Sequence, residues 1–336
     1  MHLLVRITRD GRVPPSTEGL HVPHCTCARP RWAMGMGLCL SLVVVLLLAS
    51  PAQSLAGQPS SLTLALTPSQ SPTSLQEAGE EFASVLSTLV GTPVKVYIAS
   101  DYAGVIEALR SKNVDLAFVH PVGYVLASRE AGCRIIAKDV WHGKTSFTAR
   151  IWVHKESHIT SLEQLRGKTL AFVDPASSSG YIYPMVMLMK RGLIQNRDPK
   201  TFFKEVVFAG SHDAALLALL NRRVDATASF DSAPQQYLQK PCPADPKQQC
   251  PDEERIRHLT HVAETEPIPE AGICGRPDLP PELVQKVQQA LLAMDAPAYK
   301  PLLKKLYNID GFVSAQDHEY NPVRDAVDLM GYTAHR

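Results

Sequence analysis

Three consecutive serines, Ser177, Ser178 and Ser179, stand in the stretch Phe172-Val173-Asp174-Pro175-Ala176-Ser177-Ser178-Ser179-Gly180-Tyr181. An apolar run that reads as a strand precedes them and a helical pattern follows, so the hydroxyls fall where a helix begins. Backbone N–H groups without intrahelical partners converge there with the positive end of the helix dipole, making an anion site without a formal charge. Taken alone, such serines serve as ordinary N-caps. A second strand-to-helix junction, Ala209-Gly210-Ser211-His212-Asp213, adds His212, which can donate to the same anion or stand as a surface residue beside a cap. Ser100-Asp101-Tyr102-Ala103-Gly104-Val105 offers the Tyr102 hydroxyl, whose alternative is a half-buried aromatic. Val119-His120-Pro121-Val122-Gly123-Tyr124 places His120 and Tyr124 at the end of a buried strand, where His120 is either a ligand donor or a hydrogen-bonded strand-end residue.

The elements that position these residues read as two α/β units. Ser61–Leu66, Thr92–Ala99 and Val114–Val119 are strands, separated by a helix beginning at Ser74 and one capped by Asp101 and running to Leu109. The pattern restarts with strands at Ala149–His154, Thr169–Val173, Val206–Ala209 and Val224–Ala228. Between them lie helical segments at Leu162–Arg166, Tyr181–Arg191 and Ser211–Leu220. Ala263–Ile268 reads as extended, and Pro281–Met294, Pro297–Leu306 and Asn321–Met330 as helical. Alternation of strand and helix implies parallel sheets, with a cleft between two lobes at the carboxyl ends of the strands.

The 336 residues suffice for two lobes, and 45% hydrophobic with 20% charged residues is ordinary for a globular protein. Arg29 and Arg31 precede the apolar run Leu38–Ala49, followed by Ser50-Pro51-Ala52-Gln53-Ser54-Leu55-Ala56. That order predicts a cleavable secretory signal peptide, with a retained anchor as the alternative; the run is short for a bilayer span. Residues 1–33 read as extra sequence ahead of a start at Met34 or Met36, and the mature chain as beginning near Gln53 to Gly57. Five Arg against two acids in residues 1–52 leave the remainder at −2 of the total +1, which disfavours a nucleic-acid partner. Of seven cysteines, Cys133, Cys242, Cys250 and Cys274 lie beyond the leader. Cys242 and Cys250 bracket a polar, proline-rich loop, and an oxidising compartment favours a disulfide between them over a metal site, since no CxxC or paired-His spacing is present.

The order DYAGVIEAL, VDLAFVHPVGY, FVDPASSSGY, FAGSHDAAL and RVDATASFD resembles the phosphate/phosphite/phosphonate-binding family of ABC importers, from about residue 61 to the tail. The resemblance implies a type II periplasmic-binding fold: two α/β lobes joined by two crossover strands, with the ligand cleft between them. Residues 1–56 would be extension and signal peptide, 57–148 the first part of lobe 1, 149–262 lobe 2, and 263–336 the return to lobe 1 with C-terminal helices. Ser177, Ser178, Ser179 and His212 would hold the phosphorus oxygens, Tyr102 would face them from the other lobe, and Asp231 lies near a ligand-facing acidic position. The implied role is capture of phosphonate, phosphite or phosphate in the periplasm by a monomer that serves a membrane permease and ATPase, without cofactor. A sensor domain for a membrane receptor and a phosphate-ester enzyme are the alternatives. Hydrolysis requires a metal cluster or an activated nucleophile, and neither spacing is visible.

Two positions depart from the family pattern. Phe147 replaces an aromatic hydroxyl, and Pro267-Ile268-Pro269-Glu270-Ala271-Gly272 has Ala271 where an Asp is common, with Glu270 one place away. Such acids receive the ammonium of aminoalkylphosphonates. The expectation is that anions without an amino group bind better than 2-aminoethylphosphonate, unless Glu270 or Asp231 supplies the carboxylate.

Overall fold

The computed structural model describes residues 59–70, 72–238 and 253–332. The leader and the Cys242–Cys250 loop lie outside the described residues.

The first sheet has six strands. β1 (Leu62–Leu66) pairs in parallel with β2 (Val94–Ile98) and β3 (Leu116–Val119), in the registers Leu64↔Val96 and Leu64↔Leu116. β4 (Arg134–Val140) and β12 (Gly272–Gly275) extend it in antiparallel fashion, with Ile273 opposite both Phe118 and Ala137, and β13 (Gly311–Ser314) closes the edge. Period-two alternation gives this sheet two buried faces. Leu62, Leu64 and Leu66 point to α1 (Pro72–Val90), α8 (Pro281–Ala293) and α9 (Lys300–Tyr307), while Ala65, Ala117 and Val119 face the core of α2 (Tyr102–Arg110) and α3 (Pro121–Ala131). In α1 the buried residues Leu75, Ala78, Phe82, Leu86 and Val90 recur at helical spacing. Gly79 is required on that face, since a Cβ there would meet Leu66 Cδ1 at 2.5 Å.

The second sheet has five strands in the order β10 (Leu259–Glu264), β6 (Ala149–His154), β9 (Ala226–Phe230), β7 (Thr169–Phe172), β8 (Glu205–Phe208). β7 is parallel to β8 and β9, and β6 antiparallel to β9 and β10. The chain passes between the sheets twice, through β5 (Ser146–Phe147) and β11 (Ile268–Pro269), which pair as a two-stranded ribbon with Phe147 opposite Ile268.

Several sequence expectations need adjusting. β4, β12 and β13 were not foreseen, nor were α3 and α6 (Ala233–Leu238). The segment read as one extended run, Ala263–Ile268, is split between the end of β10 and the start of β11. The helix expected at Leu162–Arg166 is one 3₁₀ turn, Glu163–Leu165. The C-terminal helix α10 (Asn321–Leu329) packs on α3 of the first lobe and on α4 (Tyr183–Lys190) of the second.

Candidate functional site

The polypeptide leaving β7 turns at Asp174–Ala176 and enters a π-type turn, Ser178–Ile182, that leads into α4. Ser177 is its N-cap, and its Oγ accepts from Gly180 N–H at 3.1 Å. Gly180 is obligatory, because a Cβ would lie 2.4 Å from Val173 Cβ and 2.7 Å from Ser177 Oγ. Ser178 Oγ reaches the other lobe and accepts from Val122 N–H, in the first turn of α3, at 3.0 Å. Ser179, 4% exposed, lines a cavity beside the helix start. The second junction is built alike: Ser211 caps α5 (His212–Leu220) by accepting from Ala214 N–H at 3.2 Å, and His212 comes to the same cavity. His212 Nδ1 and Ser229 Oγ lie 2.7 Å apart, and Phe230 stands edge-on to the ring, so the imidazole is held from two sides. Two helix starts and a fixed imidazole at one cavity make a site for an oxyanion.

The first lobe supplies the facing wall. His120 and Tyr307 line it, with Ser69 in the loop that follows β1. Tyr102, the first residue of α2, stacks on His120 with ring centroids 5.7 Å apart. Burial of His120 lowers its pKa to about 4, so the ring is neutral at pH 7, and its Nε2 has no hydrogen-bond partner among the described residues. The Tyr102 hydroxyl lies beside Ser177 and Asp174 without a well-formed hydrogen bond, and burial first, then the Asp174 charge, raise its pKa. The lobes touch: His212 N–H donates to Ser69 O at 3.4 Å, Gln236 Nε2 to Tyr307 O at 3.0 Å, and Tyr332 OH to Pro175 O at 2.9 Å.

Three carboxyl groups share the cavity near the ribbon: Asp139 at the end of β4, Glu270 just after β11, and Asp231 just after β9. A hydrogen bond joins the Asp139 and Glu270 carboxyls. Burial raises Asp139 to about 8, and burial with the charges of Asp139 and Asp231 raises Glu270 well above the usual range, so the pair retains a proton at neutral pH. One oxygen of Asp139 and one of Asp231 are buried without a partner among the described residues. The cleft holds about 750 Å³, part of it open to solvent. Among the described residues no group of three or more His, Cys, Asp or Glu is arranged to hold a metal ion.

Residues 64–320 match the sequence model of a family described as the ABC transporter, phosphonate, periplasmic substrate-binding protein. The chain belongs to this family. Its members are substrate-binding components rather than enzymes. The chain is 32% identical over 182 residues to the phosphate-import protein PhnD of Mycolicibacterium smegmatis, covering 52% of this chain and 57% of that protein. It is 28% identical over 187 residues to the phosphonates-binding periplasmic protein of Escherichia coli, covering 54% of each. The match thus spans little more than half the length of these curated relatives. A binding protein component of an ABC phosphonate transporter from Pseudomonas aeruginosa superposes with a TM-score of 0.70 at 24% identity, covering 82% of this chain and 87% of its own. PhnD1 from Prochlorococcus marinus, in complex with methylphosphonate, superposes with a TM-score of 0.70 at 19% identity, covering 82% and 100%. These likenesses show the fold, a two-lobed type II periplasmic-binding architecture. No helix among the described residues is long and apolar enough to cross a membrane.

In this phosphonate-binding family member, Ser179, His212, His120 and Asp231 line the cavity. Ser177 and Ser178 stand behind it, one as a cap and one as a contact between lobes, and Tyr102 sits behind His120. Tyr124 requires correction. Its ring packs edge-on to Tyr320 at 4.7 Å and its hydroxyl donates to Asp317 at 2.6 Å, so it belongs to the core beneath α3 and does not line the cavity. Sequence reasoning missed Ser69, Asp139, Trp141 and Tyr307, which follow strand ends or end a helix and carry no local motif. Ala271 does lack the acid, but Glu270 is turned into the cavity, so the premise that this side has no carboxylate does not hold.

Proposed function

We propose that this chain is an exported solute-binding protein that captures a small phosphorus oxyanion between its lobes and presents it to the permease and ATPase of an importer. The observation that carries the reading is the meeting of two helix starts, through Ser179 and His212, at one cavity also walled by the other lobe. The printed functions of relatives, phosphate import and phosphonate binding, are consistent with that anion chemistry.

The carboxyl cluster shifts the choice among phosphorus ligands. A bare phosphate or phosphite brings only negative charge to a cavity already holding Asp139, Glu270 and Asp231. A phosphonate carrying an ammonium group places its two charges against the helix starts and the carboxyls respectively, and leaves neither buried without compensation. An amine-bearing phosphonate is therefore favoured over the amine-free anions expected from the sequence. Calorimetry with 2-aminoethylphosphonate, methylphosphonate, phosphite and phosphate tests this. The amine should bind at least tenfold more tightly than the others. Absence of binding by every phosphorus ligand would refute the function, and preference for phosphate or phosphite would refute the ligand assignment.

A further inference from the structure

The carboxyl cluster is not surrounded by the polar groups a primary ammonium requires. Five aromatic side chains line the same cavity: Phe118, Trp141 and Tyr307 from the first lobe, Phe147 from the ribbon, and Phe230 from the second lobe. Two of them brace each other, Phe118 and Tyr307 standing edge to face at 4.7 Å. Trp141 follows Asp139 by two residues, and Phe147 sits on the strand paired with the one that leads to Glu270, so rings and carboxyls share the same segments.

We propose that the cavity selects a phosphonate whose ammonium is N-alkylated, up to a quaternary trimethylammonium, with the rings of Trp141 and Phe147 as part of an aromatic cage. The inference rests on the reading of the site as a phosphorus-oxyanion cleft and narrows the substituent. A primary ammonium is strongly hydrated and carries three N–H donors, each of which needs an acceptor when water is removed. Ring carbons supply none, and Asp139 and Glu270 already spend part of their capacity on each other. An alkylated ammonium spreads its charge over methyl groups, sheds less hydration, and is attracted by the negative faces of aromatic rings. The nearby carboxyls then act through space as a countercharge and need no direct hydrogen bond to nitrogen.

The test is calorimetry of the protein with 2-aminoethylphosphonate, its N,N,N-trimethyl derivative and methylphosphonate. The trimethyl compound should bind at least tenfold more tightly than the primary amine, and in Trp141→Leu that ratio should fall at least fivefold. A primary amine that binds as tightly as the trimethyl compound would overturn the cage and leave the oxyanion cleft standing. Methylphosphonate binding most tightly would overturn any cationic substituent, and no binding by all three would overturn the cleft and the cage together. A Trp141→Leu protein that folds, as judged by circular dichroism, and keeps the wild-type ratio would remove the ring from the assignment. The wild-type ligand series decides the matter even where the variant does not fold.

Discussion

Replacing Glu270 by Gln keeps the side chain's size and removes its charge, at the position where binding and stability should respond in opposite directions. Glu270 is 8% exposed, is hydrogen-bonded to Asp139 and feels the charge of Asp231. A charge pair buried in such a site couples by about 2–5 kcal/mol. Because Asp139 and Glu270 hold one proton between them at neutral pH, the variant removes only part of the countercharge, and the lower end applies. About 2 kcal/mol corresponds to a loss of roughly thirtyfold in affinity for a cationic phosphonate, with methylphosphonate affinity unchanged or improved. Stability moves the other way. Asp139 is raised to about 8 and Glu270 is raised as well, so both resist ionisation in the folded state. Groups raised in this way lend stability below their unfolded pKa, near 4, and that stability is lost as pH rises through the folded values. The ligand-free protein should therefore melt lower at about pH 8.5 than at about pH 5, and Glu270→Gln should flatten that slope and melt a few degrees higher at the alkaline end. Thermal denaturation at the two pH values and calorimetry with the ligand series read both effects. The reasoning fails if the wild type is more stable at the alkaline pH, or if Glu270→Gln binds 2-aminoethylphosphonate and its trimethyl derivative as tightly as the wild type does.

Ser179→Ala should weaken every phosphorus ligand alike, by roughly 1.5–3 kcal/mol or about ten- to a hundredfold, because it removes one charge-assisted hydrogen bond at the shared head group; calorimetry showing unchanged affinities would remove Ser179 from the site. Gly180→Ala forces a Cβ to within 2.4 Å of Val173 Cβ, so the cost should be about 1–3 kcal/mol in urea unfolding, with reduced affinity as the turn shifts. Saturating ligand should make the scattering profile more compact, as two lobes joined only by β5 and β11 move together; identical profiles with and without ligand would count against closure. Cys242 and Cys250 should be found paired by mass spectrometry of natively exported protein, and two free thiols would refute the pairing.

Local patterns carried the fold where burial follows a simple period. β1, β3, β7 and the helices α1, α8 and α10 each announce themselves by apolar alternation or helical spacing, and their observed limits differ from the reading by a few residues. β4, with the sequence Arg134-Ile135-Ile136-Ala137-Lys138-Asp139-Val140, is harder to read because its polar residues are buried by tertiary partners: Lys138 is paired with Glu319 at 2.5 Å, and Asp139 with Glu270. β12 is only Gly272-Ile273-Cys274-Gly275, and its glycines suit close packing between two strands, where a Cβ on Gly272 would meet Ala137 O at 2.4 Å. Such a strand lacks a periodic signal of its own; its neighbours define it.

The same division runs through the site. The oxyanion end could be read because an anion is held by helix starts, and a helix start has a local vocabulary of caps and glycines: Ser177 with Gly180, Ser211 with His212. The substituent end could not, because each of its groups comes from a different place in the chain, Asp139 and Trp141 from β4 and the turn after it, Glu270 from the ribbon, Asp231 from the end of β9, Tyr307 from the last turn of α9. Which acids share a proton, and which rings face them, depends on how β12 is threaded between β3 and β4, because that threading brings Glu270 beside Asp139. Head-group chemistry is thus written in short motifs, whereas specificity is written in sheet topology. A reading of Ala271 alone assigned the wrong polarity to this pocket for that reason: the carboxylate had moved by one residue along the chain without leaving the cavity.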